Sequence, residues 1–173
     1  MNGHILPFAV LAYGAYGNSS DPTISTSRLS LLDRGDSVVG VDNVNDYYST
    51  QLKRDRLAQL AGRDGFEFHE IDIADLAALR QAVGPSPIDR VIHLAAQAGV
   101  RYSIDHPEAY VHSNLAGPLP ILEVCRPSDR NDHRVYAPSS SDYGGNTKLP
   151  FSEDDRVDQP ISLYAAPKKA DEL

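Results

Sequence analysis

SVVGVD, residues 37–42, decides the fold. It is a short, β-branched run that contains a glycine, and it follows DRGD (residues 33–36), a helix-end and turn signal. Such a run reads as a strand, and the stretches on either side repeat its logic. TQLKRDRLAQLAGR (50–63) predicts a helix with Leu52, Leu57 and Leu60 on roughly one face and Gly62 as its stop. FEFHEIDI (66–73) alternates like a strand, and ADLAALRQAVG (74–84) reads as a helix ending at Gly84. DRVIHLAA (89–96) is a buried strand with almost no polar residue after Arg90. HPEAYVHSNLAGPLPILEVCR (106–126) has helical periodicity, with Pro118 and Pro120 inside the pattern at a cost of roughly 3 kcal/mol each unless the helix kinks or ends there. RVYAPSSSDYGG (134–145) is a strand running into a Ser/Gly loop. Upstream, ILPFAVLAYGAYG (5–17) reads as a buried first strand entering a glycine turn. It has signal-peptide size, but no Lys or Arg precedes it. Strands alternating with helices predict an α/β fold, a doubly wound, Rossmann-like parallel sheet covered on both faces.

The 173 residues suit a single domain with a proper core. A net charge of -8 and a pI near 5.1 argue against nucleic acid or an anionic membrane as a partner, since both need basic patches. No apolar run is long enough to span a bilayer. A single cysteine, Cys125, excludes an internal disulfide and fits a reducing, cytoplasmic setting; it reads as a small apolar residue on a helix. His106 and His112 have no zinc-motif spacing, so no metal is expected, and His93 reads as a core histidine on its strand.

In a doubly wound sheet ligands sit at the carboxyl ends of the strands. After the first run stand Gly14 and Gly17, with Ser20 where a third glycine of a phosphate-binding turn would fall. After the second stands Asp42, a carboxylate able to accept both hydroxyls of an adenosine ribose and to repel a 2′-phosphate, which favours NAD over NADP. Asp72 and Ile73 follow the third run and could frame an adenine, with a helix N-cap as the competing role for Asp72. LAAQAG follows the fourth, and Ser139, Ser140 and Ser141 follow the fifth. Near the end, ISLYAAPKKADEL (161–173) places Tyr164 four residues before Lys168. On a helix the two share a face, where an ammonium favours the phenolate and makes the tyrosine a usable general base. Pro167 lies between them, within the first turn and a half. Arg101 in GVRYS could reach a phosphate or a uronate carboxylate bidentately, or serve in a structural ion pair. EDDRVD (153–158) reads as a solvated loop.

Together LLDRGDSVVGVDNVNDYYSTQLKRDRL, VIHLAAQAGVRYS and GGNTKLPFSEDDRVDQPISLYAAPKKADEL resemble the NAD-dependent epimerase/dehydratase group of the extended short-chain dehydrogenase/reductase superfamily, and within it the UDP-glucuronate 4-epimerases. DNVNDYY with AAQAGVRYS is specific for the uronic-acid epimerases, whereas the Tyr-x-x-x-Lys pair marks the superfamily. The resemblance implies NAD as cofactor and a UDP-sugar, UDP-glucuronate, as substrate, with a homodimer as candidate assembly. It assigns the catalytic hydroxyl to Ser139, the base to Tyr164 and the lysine to Lys168. It places Asp42 and Asn43 on the adenosine ribose, Asp72 and Ile73 on the adenine, Leu94, Ala95, Ala96 and Gln97 beneath the cofactor, and Asn114 near the nicotinamide side. Arg101, Ser139 and Ser140 fall to the substrate. The implied reaction is 4-epimerisation through a 4-keto sugar. A nucleotide-sugar 4,6-dehydratase would carry Asp-Glu directly after the catalytic hydroxyl, where Ser140 and Ser141 stand here. The family continues beyond the lysine into a C-terminal domain, so residues 1–173 are expected to be an NAD-binding, Rossmann-like part without the substrate domain. A non-catalytic NAD-binding module is the alternative.

Overall fold

The computed structural model describes residues 7–13, 31–85, 88–127 and 132–173, with the backbone alone for 7–13. Gly14, Gly17 and Ser20 lie outside the described residues. Five strands, β1 (Pro7–Tyr13), β2 (Ser37–Asp42), β3 (Phe66–Glu70), β4 (Arg90–Leu94) and β5 (His133–Tyr136), form a sheet in the order β3-β2-β1-β4-β5. Every pairing is parallel. This is the doubly wound arrangement expected from the alternation of runs, with the order reversing at β1.

The period of two along each strand divides the core between two faces. Val39 and Val41 of β2 and Val91 of β4 join Leu79, Val83, Ile121 and Cys125 on one face. Val38, from the same strand, packs with Leu32 and Leu60 on the other, where Phe66 and Ile92 close around them. Cys125 is buried among apolar neighbours, as its sequence context predicts. No helix among the described residues is long and apolar enough to cross a membrane.

The helices are α1 (Thr50–Ala58), α2 (Leu76–Val83), α3 (Tyr102–Asp105), α4 (Pro107–Tyr110), α5 (Pro118–Cys125) and α6 (Ala165–Ala170). Two expectations need correction. On α1 the inward residue is Lys53, at 4% exposure, whereas Leu52 is 36% exposed. The inward face runs through buried Lys53, half-buried Leu57 and buried Leu60, an i, i+4, i+7 series, with Lys53 carrying its ammonium in to the end of β2. The long helix expected over 106–126 is broken into α4, a π-helical stretch (Val111–Ala116) and α5. The wide turn closes with the Gly117 N–H donating to His112 O, five residues back. Pro118 then becomes the first residue of α5, where its missing N–H costs little. A side chain at Gly117 would meet Ser113 O at 2.5 Å and Ile73 Cδ1 at 2.6 Å, so a glycine lets this helix reach the end of β3. Pro167 is likewise harmless, being the third residue of α6.

Candidate functional site

The residues expected to hold an adenosine converge. Asp42, Asn43, Asn45, Asp72, Ile73, Ala95, Ala96, Gln97 and Ser113 line one hollow at the carboxyl ends of β2, β3 and β4. Its floor is small because Ala95 and Ala96, just past Leu94 at the end of β4, are buried and carry only methyl groups. Two successive side-chain turns shape its rim. Asp42 Oδ1 accepts the Val44 N–H (2.6 Å), and Asn43 Oδ1 accepts the Asn45 N–H (3.2 Å). Val44 consequently adopts φ 46°, a left-handed conformation unusual for a β-branched residue. Strain of this kind collects where the surrounding structure fixes a ligand-facing turn.

Lys53 reinforces that turn from behind. Its Nζ donates to Asn45 Oδ1 (2.9 Å), lies 3.8 Å from Asp42 Oδ1, and stands over the Tyr48 ring at 4.6 Å. Burial lowers the Lys53 pKa below the ordinary lysine value even though Asp42 and Asp46 oppose it. Across the hollow, Asp72 accepts from Ala74 N–H (2.9 Å) and Asn43 Nδ2 (3.3 Å), and pairs with His112 Nε2 (3.0 Å). Burial alone would raise the Asp72 carboxyl, but these partners outweigh it and hold its pKa below the usual range. The Ala74 bond is a local turn. The helix N-cap role weighed for Asp72 belongs instead to Asp75, which accepts from Ala77 and Ala78 N–H.

Asn114 sits in the π-helical stretch, 1% exposed, and clamps the chain after β4: its Oδ1 accepts the Gln97 N–H (2.6 Å) and its Nδ2 donates to Gln97 O (2.9 Å). Next to it, the Tyr110 hydroxyl donates to Ala98 O (2.7 Å) and Gly99 O. Burial pushes that phenol up to about 12, so Tyr110 serves as a fixed donor.

The residues expected to carry chemistry lie toward β5. Ser139 caps the short 3-10 turn Ser140–Tyr143, its Oγ accepting from Ser141 N–H (3.2 Å) and from the Ser141 hydroxyl (2.8 Å). Tyr164 and Lys168 stand one turn apart at the start of α6 and both are buried. The Tyr164 ring meets the Tyr110 ring edge-on, with centroids 5.9 Å apart at 87°. Lys168 Nζ donates to Ala137 O (3.1 Å) and to Asp171 Oδ2 (3.4 Å), which ties α6 to the end of β5 two residues before Ser139. His93, on β4, feels the same ammonium; burial and the Lys168 charge push its pKa down to about 4, a neutral core imidazole as its strand context predicts. Arg101 is exposed at the start of α3 and Ser140 is exposed in the 3-10 turn; neither lines the hollow.

Sequence reasoning missed Asn45, Lys53, Ser113 and Asp142. The Asn-x-Asn spacing of DNVN carried a side-chain turn signal for Asn45, and a lysine in register with Leu57 and Leu60 marked Lys53. Asp142 stands three residues after Ser139, the Ser-x-x-Asp spacing of a capping box, whereas Ser113 had no comparable signal, since it arrives through local helix geometry.

Residues 26–173 match the family model described as GDP-mannose 4,6 dehydratase. The chain belongs to this NAD-dependent epimerase/dehydratase family. Among the family's curated members, UDP-glucuronate 4-epimerase 2 of Arabidopsis thaliana is 55% identical over 143 residues, 83% of this chain and 33% of that protein. UDP-glucuronate 4-epimerase 3 of the same plant is 51% identical over 165 residues, 95% of this chain and 37% of that protein. The chain therefore spans only about a third of the length of these relatives. Among solved structures, UDP-glucose 4-epimerase from Bifidobacterium longum, in complex with NAD+ and UDP, superposes with a TM-score of 0.75 at 26% identity, covering 95% of this chain and 47% of that one. The UDP-glucose 4-epimerase from Brucella ovis in complex with NAD gives 0.72 at 28% identity, covering 95% and 45%.

Proposed function

We propose that this chain supplies the cofactor-binding and proton-handling part of an NAD-dependent nucleotide-sugar 4-epimerase acting on UDP-glucuronate and UDP-galacturonate. The observation that carries this reading is the joint lining of one hollow by Asp42, Asn43, Asp72, Ile73, Ala95 and Ala96. The residues fit an adenosine. The buried Asp42 carboxylate offers an acceptor for a ribose diol, Asp72 offers one for an exocyclic amine, Ile73 gives an apolar wall, and the two alanines leave room for a flat group. Gly14 and Gly17 are proposed for the pyrophosphate, Leu94 and Asn114 for the walls beyond the adenosine, and Tyr164 and Lys168 for the nicotinamide ribose. NAD, when bound, supplies the acceptor and donor of hydride at the sugar C4.

This chain's own residues handle the proton and the orientation. Tyr164 takes the proton from the C4 hydroxyl and later returns it. Ser139 already accepts two hydrogen bonds from Ser141, so its own proton is left to donate to the C4 oxygen. Lys168 is anchored by Ala137 O beside that serine, one helical turn from Tyr164. Ser140 and Arg101, both exposed, are proposed for the sugar and its carboxylate. UDP-glucuronate is favoured over other sugars by the roughly half-identical relatives named for it.

A cofactor-binding module without turnover is the second reading, favoured by Arg101 and Ser140, which stand exposed and outside the hollow. Incubation of the chain with NAD+ and UDP-glucuronate carrying deuterium at C4 separates the two. UDP-galacturonate that retains the deuterium is the expected product. Micromolar NAD+ binding, lost in Asp42→Ala, without product supports the module, and a folded chain that binds no NAD+ overturns both.

A further inference from the structure

Asp142 has no part in the chemistry above, yet it is 2% exposed within the 3-10 serine turn, which packs against α6. Its Oδ2 accepts the Ser139 N–H (3.1 Å) and, with Ser139 Oγ on the Ser141 N–H, closes a reciprocal cap around the 3-10 turn. Its Oδ1 is buried with no hydrogen-bond partner among the described residues. From α6 and the residues after it Asp142 faces Lys168, Lys169, Asp171 and Glu172, and from β5 it faces Tyr136.

We propose that Asp142 is a positioning residue that holds the Ser139 hydroxyl in its donating orientation and makes the serine turn responsive to the charge on Lys168. The proposal rests on the reading of Ser139 and Lys168 as the catalytic hydroxyl and its neighbouring lysine, but its geometry stands without it. Ser139 can present its proton outward because its oxygen is already an acceptor, and that arrangement persists while the Ser139 backbone is pinned by the Asp142 carboxylate. The pin loosens when the carboxylate takes up a proton. Burial raises the Asp142 pKa above the ordinary carboxylate value; the Ser139 N–H bond opposes the rise first and Lys168 and Lys169 less, while Glu172 adds to it. A proton gained at Asp142 therefore reaches Ser139 through one hydrogen bond, and the lysine ammonium lowers the pH at which this happens.

The Ser139 amide is the reporter, so neither NAD+ nor turnover is needed, and failure of the epimerase reading leaves the outcome intact. In proton–nitrogen NMR of the 173-residue chain, the Ser139 amide is expected to titrate with a midpoint above that of a model aspartate. Asp142→Asn keeps an oxygen for the amide and should abolish the titration. Lys168→Met should raise the midpoint, since an opposing cation is gone. Asp142→Ala should speed hydrogen exchange at the Ser139 N–H roughly tenfold, in line with loss of a bond to a charged acceptor. A Ser139 titration that is identical in wild type and Asp142→Asn overturns the proposal, as does a midpoint indifferent to Lys168→Met. The asparagine and methionine arms decide it even where the alanine variant does not fold.

Discussion

The two ends of the candidate site are built by different means. The hollow's side rests on strands packed from both faces: Val38 and Val41 of β2 are 1% and 0% exposed, and Asp42 follows directly in the same strand. The β5 side has no such support among the described residues, since all four residues of β5 are exposed. There the chain is located by individual polar pins, Lys168 on Ala137 O and Asp142 on Ser139 N–H. Packing sets a position through many weak contacts that are lost gradually, whereas a polar pin works through one bond and is sensitive to charge and pH. Mutations on the first side should register as lost global stability, and those on the second as local loosening.

The largest effect tests the packed side. Leu79 is fully buried against β2 and the end of β3. Leu79→Ala is expected to cost about 2–5 kcal/mol in urea unfolding and to weaken binding in the hollow through movement of Ile73. A cost below about 1 kcal/mol would mean that this side collapses easily and that the contrast is wrong.

The next prediction concerns pH. His93 has a folded pKa of about 4 against an ordinary value of 6.5, so the unfolded chain binds its proton more readily. Stability from this residue is fully present above about pH 6.5 and is lost as pH falls toward 4, by about 3 kcal/mol over that window. Asp142 acts in the opposite sense. With its pKa raised, the folded chain binds that proton more readily, so acidification relieves a cost that is present at neutral pH. Urea midpoints across pH 4–7 should fall steeply for wild type and shallowly for His93→Gln, and Asp142→Asn should steepen the fall.

Much of this molecule was legible because its strands are short apolar runs closed by turn signals, and because parallel topology delivers the residues after each run to one edge. That reasoning brought Asp42, Asp72, Ile73 and Ala95 to one edge without any contact information, and they line one hollow there. It failed at Leu52, where an apolar count chose leucine over lysine. A buried ammonium is stable there only because Asp42 and Asn45 meet it, and no local pattern reveals that pairing. It failed again over 106–126, where helical period persists through a π-turn that closes at Gly117, packed too close to Ile73 to admit a side chain. Both failures occur where a distant residue decides local geometry.

Asp42→Ala should have an intermediate effect. It strips Lys53 of its carboxylate and Val44 of the acceptor that holds its left-handed turn, so about 2–3 kcal/mol of stability should go with the NAD+ affinity proposed for the hollow. Lys53→Met paired with Asp42→Ala should recover part of that loss, because no buried charge is then left unpaired. Additive losses in urea unfolding of the double variant would mean that the two side chains act independently.

The smallest effect belongs to Arg54 and Glu70, which join α1 to β3 at 3.3 Å with about half of each side chain exposed. This bridge sits on the packed side but has the form of a pin. Water screens it, and ordering two long side chains offsets the attraction, so Glu70→Gln should shift the urea midpoint by less than about 0.5 kcal/mol. The shift should shrink further in high salt. A loss above about 1 kcal/mol would show that α1 is held to the sheet by its surface charges as well as by Leu60. The distinction between a packed end and a pinned end would then have to be redrawn around which pins are buried.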